Sequence, residues 1–146
     1  MYRIIMSLCV TGLVIALVPS AIAGSPIMAH VHDLPSDEGK ILIMLCTREP
    51  YEDHGRGCEH GHVSPSDREA RYTFEDVEPG EYVIQAIHDE NDNNEFDRKW
   101  YGKPKEAYGM SRNPKSRFSR PDFEEGAFTH GEEPSSFEIL MRGGDR

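Results

Sequence analysis

Apolar residues become scarce once the first 23 positions are passed. Residues 1–23 hold 17 of them and one charge, Arg3, whereas the remaining 123 positions hold only 37. No second long apolar run follows, so nothing after residue 23 reaches the roughly 20 residues that a membrane-spanning helix needs. Cations are also few. After residue 23 there are 15 bases against 26 acids, a net charge of −11, which disfavours nucleic acid as a partner. The length of 146 residues excludes a multi-domain chain. Catalytic signatures are missing: there is no G-x-S-x-G elbow, P-loop, dinucleotide fingerprint or H-E-x-x-H. The chain is therefore expected not to be an enzyme.

What is present begins with an address. Met1-Tyr2-Arg3 opens weakly basic, Ile4 to Val18 is mostly apolar, and Ala21 and Ala23 form an A-x-A site. This is the three-part pattern of a secretory signal peptide over residues 1–23, with cleavage expected after Ala23. The expected location is periplasmic or extracellular, with no membrane span after cleavage. Cys9 would leave with the peptide. The remaining pair, Cys46 and Cys58, reads as a disulfide in an oxidising compartment.

Residues 24–146 are punctuated by Pro, Gly and Asn and carry no long helical stripe. Strands are predicted at 27–33, at Lys40–Cys46 (apolar on both alternating sets, as in a strand covered on both faces), at 70–74, at 81–89 and at 135–141. Residues 47–69 read as loop with a short helical turn. Short strands with frequent turns predict a single β-sandwich over 24–146.

Three constellations could carry chemistry. Asp89, Asn91, Asn93 and Asp97 have the 1-3-5-9 spacing of a calcium loop, with Asn94 at the sixth position able to turn left-handed and Trp100 where a bidentate acid is expected. The alternative is a loop whose Asx side chains bond their own backbone. His54, His60 and His62 with Cys58 could serve zinc or copper, in binding or in an enzyme, although a disulfide would consume Cys58 and loop histidines are commonly only solvated. Finally, Arg98, Lys99, Lys103, Lys105, Arg112, Lys115, Arg117 and Arg120 stand against one acid, Glu106. This +7 island leaves −18 on the rest. It is a candidate anion-binding surface for an anionic envelope component, or a segment folded over and neutralised by an acidic sheet. Its aromatics Trp100, Tyr101, Tyr108 and Phe118 are expected to pin it to the sandwich. His88 and Asp89 alternate to opposite faces of their strand and make no dyad.

From about residue 39 to 141 the sequence resembles the exported bacterial proteins of domain-of-unknown-function family 2141. The carrying pieces are Ile41–Cys46, Pro79-Gly80-Glu81-Tyr82, His88-Asp89-Glu90-Asn91 with Asn93, and Gly102-x-Pro104-x-Glu106-x-Tyr108-Gly109. Ser111-x-Asn113, Arg117-Phe118 and Pro121-x-Phe123-x-x-x-Ala127-Phe128 follow in order. The resemblance implies an exported immunoglobulin-like or transthyretin-like β-sandwich, and no activity. The sequence departs from the family's usual glycine-bearing loop at Asp92-Asn93-Asn94, and from its Gly-Pro-Pro at Ser119-Arg120-Pro121. The resulting expectation is a non-enzymatic envelope or extracellular module that binds an envelope component or protein. The alternatives are a calcium-dependent module using the 89–97 loop, and a zinc or copper protein using the histidines.

Overall fold

Alternation of apolar and polar side chains along short segments gives nine strands in a computed structural model, which describes residues 24–115 and 120–144. The expected signal peptide, Arg117 and Phe118 lie outside the described residues. The elements are β1 (Ser25–His32), β2 (Lys40–Cys46), α1 (Arg48–Glu52), β3 (Glu59–Val63), β4 (Ala70–Val77), β5 (Gly80–Asp89), β6 (Ala107–Met110), α2 (Phe123–Gly126), β7 (Phe128–His130), β8 (Ser135–Leu140) and β9 (Arg142–Gly143).

They form two sheets, an all-β arrangement consistent with a sandwich. The smaller sheet has the order β4-β1-β8, with β1 antiparallel to β4 and parallel to β8. The larger has the order β3-β2-β5-β6-β9, and β7 pairs with the start of β5. Ile27, Ala29 and Val31 of β1 face a core shared with Ile41 and Ile43 of β2, Phe74 of β4, Ile84 and Ala86 of β5, and Ile139 of β8. A second cluster gathers Tyr51, Val83, Met110, Phe123 and Ala127 around the Cys46–Cys58 disulfide. The bridge thus ties α1 and the start of β3 to the end of β2.

Two expectations need correction. Residues 59–63 are a strand rather than loop: β3 pairs with β2 from Ile41↔Val63 to Leu45↔Glu59. Its sequence E-H-G-H-V has almost no apolar side chains to announce it, and backbone pairing to β2 holds it instead. Gly61 also lets the Tyr72 ring pack across it, since a Cβ there would lie 2.2 Å from that ring. The second correction concerns the outer face of β2, which is covered only in part. Ile41, Ile43 and Leu45 are buried in the core and Cys46 in the second cluster, but Leu42 and Met44 are half-buried.

Two residues after β6 act as clips. Ser111 Oγ accepts a hydrogen bond from Ile84 N (3.0 Å) and donates to Gly126 O (2.6 Å). Asn113 Nδ2 donates to Glu138 O (2.9 Å), and its Oδ1 accepts from Leu140 N (2.7 Å), so one side chain takes the place of a strand along the outer edge of β8. Gly109 lets β6 approach β8, for a Cβ there would sit 2.6 Å from Ile139.

Candidate functional site

The acidic loop starts where β5 ends. Asp89 is fully buried, and its two oxygens accept from Asn93 N (3.1 Å) and Asn94 N (2.9 Å). Lys40 Nζ lies 3.5 Å from the same carboxylate and 3.0 Å from Asp92. Asn91 Oδ1 and Asn93 Oδ1 accept from Asn93 N and Glu95 N, while both side-chain amides donate to Asp97 Oδ2 at 3.0 and 3.3 Å. Asp89, Asn91, Asn93 and Asp97 are therefore drawn into one coil, bonded as an Asx-rich loop bonds its own backbone. Asn94 has φ +62° and Asp92 φ +58°, so the loop makes its left-handed turns without glycine. Gly39 is required beneath it, because its φ is +68° and a Cβ would lie 2.0 Å from Asp89 O.

Glu106 comes to this loop from the neighbouring strand. Its Oε2 accepts from Asp97 N (3.1 Å), and its Oε1 is buried without a hydrogen-bond partner. Burial pushes its carboxyl above the usual carboxylate range, and Asp89, Asp97 and Glu90 push the same way. His88 points to the core side, where its Nε2 donates to Glu38 O (2.8 Å).

Beyond the loop the chain folds back across the uncovered face of the larger sheet and leaves a groove of about 330 Å³. Its floor is Met44, Gln85, Ile87 and Tyr108, and its walls include Phe96, Pro104, Pro114 and Pro121. Phe96 meets Tyr108 edge-on, with ring centres 6.0 Å apart. Three guanidinium groups stand at the rim. Arg98 lies 4.7 Å over the Phe96 ring and donates to Gly102 O. Arg120 lies 3.8 Å over the Tyr51 ring and donates to Gln85 Oε1 (3.2 Å). Arg142 donates to Pro114 O (2.8 Å) and Asn113 O (3.3 Å).

The basic island is therefore divided. Arg98 and Arg120 reach the groove, Arg112 donates to Ala127 O, and Lys103, Lys105 and Lys115 are exposed. Lys99 is half-buried. Among the described residues, the contacts of Arg98, Arg112 and Arg120 are carbonyl and amide oxygens and aromatic rings, not the acidic sheet. The aromatics need a correction as well: Trp100 is 96% exposed and Tyr101 57%, the two touching each other, so they do not pin the segment. Phe96 takes that part. Arg142 and Phe96 had no signal of their own in the sequence. Only the return of β9 and the fold of the 93–104 segment bring them to the groove.

The disulfide takes Cys58 out of the histidine set. His54, His60 and His62 are exposed and share a shallow depression with Met44 and Phe96. They do not bring three donor atoms within 4.8 Å of one another. Among the described residues, that is achieved by His30, His32 and Glu138 on the other sheet.

The family model for an uncharacterized protein conserved in bacteria (DUF2141) matches residues 29–138. No curated protein matches the chain, and no solved structure does.

Proposed function

We propose, from the premise that this chain belongs to that family of uncharacterized bacterial proteins, that it is an exported, non-enzymatic binding module of immunoglobulin-like or transthyretin-like type. Its ligand site is the groove over the larger sheet. The observation that carries this reading is the apolar floor of Met44, Ile87 and Tyr108 beneath a rim of Arg98, Arg120 and Arg142. An apolar concavity with a few fixed polar groups suits a small ligand, and three guanidinium groups select one that bears a carboxylate, sulfonate or phosphate beside an apolar ring or chain. The export reading rests on residues 1–23, and recovered protein whose first residue is Met1 instead of Gly24 would overturn it.

Two dyes with the same rings test the site: 8-anilinonaphthalene-1-sulfonate and the uncharged N-phenyl-1-naphthylamine. The sulfonate is expected to bind about tenfold tighter, equivalent to roughly 1.4 kcal/mol. Arg98→Gln with Arg120→Gln should erase that difference while leaving the neutral dye bound. Equal affinities in the parent protein would remove the anion from the reading.

A second reading, a calcium-dependent module, is favoured by one observation. Glu106 Oε1 is buried and unpartnered within electrostatic reach of Asp89, Glu90 and Asp97. With Asp89, Asn91, Asn93 and Asp97 it would complete an oxygen set in place of the acid that Trp100 replaces. Calcium should then raise the melting temperature of the parent and not of Glu106→Gln. A parent indifferent to calcium ends this reading.

A further inference from the structure

The outer face of the smaller sheet carries a side-chain cluster unconnected with the groove. Strand β1 alternates, so Ala29 and Val31 enter the core while His30 and His32 face outward together. Pairing with β4 sets Val31 opposite Ala70, which brings Glu69 alongside His32. Parallel pairing with β8 sets His30 opposite Glu138. The two imidazole rings have centres 3.7 Å apart and planes tilted by 51°, between the two carboxylates.

The contacts sort the four ring nitrogens into two pairs. Glu69 takes one nitrogen of each ring on a separate oxygen: His30 Nε2 at 3.0 Å on Oε2, and His32 Nδ1 at 3.4 Å on Oε1. The tautomer with its protons on these two nitrogens leaves the other nitrogen of each ring free as a ligand. Those two, His30 Nδ1 and His32 Nε2, both face Glu138 Oε2, the first at 3.4 Å and the second in hydrogen-bonding contact. Three potential ligand atoms thus converge on one point, where imidazole and carboxylate share protons. A divalent cation can displace those protons, because a ligating histidine is neutral.

We propose that His30 Nδ1, His32 Nε2 and a Glu138 oxygen form a binding site for a divalent transition ion of the zinc–copper class, with Glu69 as the positioning residue that fixes both rings. The three donor atoms already lie within 4.8 Å of one another. Tetrahedral zinc, with bonds of about 2.0–2.2 Å, needs donors roughly 3.4 Å apart, and Glu138, 63% exposed, has room to rotate inward. Ligating histidines characteristically donate their other N–H to a carboxylate, which is the part Glu69 plays for both rings at once. Two imidazoles with one or two carboxylates suit zinc or copper rather than calcium or magnesium. With neutral rings the cluster bears two negative charges, which one divalent ion balances. Arg71 belongs to β4, across β1 from the strand of Glu138, and its Nη2 lies 3.9 Å from Glu69.

Calorimetric titration of the untagged protein with Zn²⁺ tests the site. One ion per chain is expected. His30→Ala, His32→Ala and the shape-conserving Glu138→Gln should each abolish saturable uptake. Glu69→Gln, which removes only the support of the rings, should weaken binding about 10–100-fold without changing the stoichiometry. The triple variant His54→Ala, His60→Ala, His62→Ala should bind as the parent does. The proposal is overturned if Zn²⁺ shows no saturable binding, if binding survives His30→Ala with His32→Ala, or if the triple variant loses it.

Discussion

The surroundings of Glu106 disfavour its ionised form. Burial is the largest influence on its carboxyl, and the neighbouring acids Asp89, Asp97 and Glu90 act in the same direction, against one hydrogen bond from Asp97 N. Its folded-state titration is therefore raised above that of the unfolded chain. A proton binds the folded protein more tightly there, so the stability this group contributes is present at low pH and lost as pH rises through the raised value. Glu106→Gln keeps an acceptor for Asp97 N and removes the charge. Urea denaturation in metal-free buffer should find the variant more stable than the parent near neutral pH, with the gap closing as pH falls toward 4. An unchanged gap across that range would mean that Glu106 is not the titrating group. Elsewhere residue chemistry was readable in advance. Asn94 does turn left-handed, joined by Asp92, of which no such turn was expected, and Asp89, Asn91, Asn93 and Asp97 do converge, since the side chains that make such a loop are close in sequence.

Strand β8 shows what happens at an unpaired sheet edge. One side pairs with β1, and along the other Asn113 both donates and accepts, at Glu138 O and Leu140 N. Asn113 has φ +50° and follows Arg112 at +60°, so a tight left-handed turn brings the amide to the edge. Asn113→Ala leaves two edge groups to water and should cost about 1–3 kcal/mol in chemical denaturation. A loss within error would show that solvent replaces the amide fully. Elements of this kind were hard to read from sequence. The strands at 40–46 and 80–89 announce themselves through apolar runs, and Cys46–Cys58 through its pairing and spacing. Strand β3 does not, because its stability lies in backbone pairing and the disulfide rather than in its side chains. The His30–Glu138 cluster was equally hidden: the partners of His30 and His32 sit 37–39 and 106–108 positions away, and only the register of three strands brings them together.

At the scale of the molecule the two sheets offer different outer surfaces. The larger carries an apolar groove ringed by arginines, and the smaller carries imidazoles between carboxylates. The core between them is built of apolar side chains, and both of these surfaces lie on outward faces. Net charge describes neither surface. A chain at −11 beyond residue 23 still presents three guanidinium groups in one place, so an anionic ligand meets local attraction within a repulsive surround. That attraction should fade with salt over a Debye length of about 8–10 Å. The parallel pairing of β1 with β8 has a further consequence, for the order of events in folding. Half of the ladder on the first strand waits for a segment synthesised about a hundred residues later. Such a long closure slows the reaction. Until Ser135–Leu140 arrives, β1 has an open edge able to pair with another chain. The protein therefore completes its smaller sheet only after β8 is available, and chains cut short before residue 135 are the ones most exposed to aggregation.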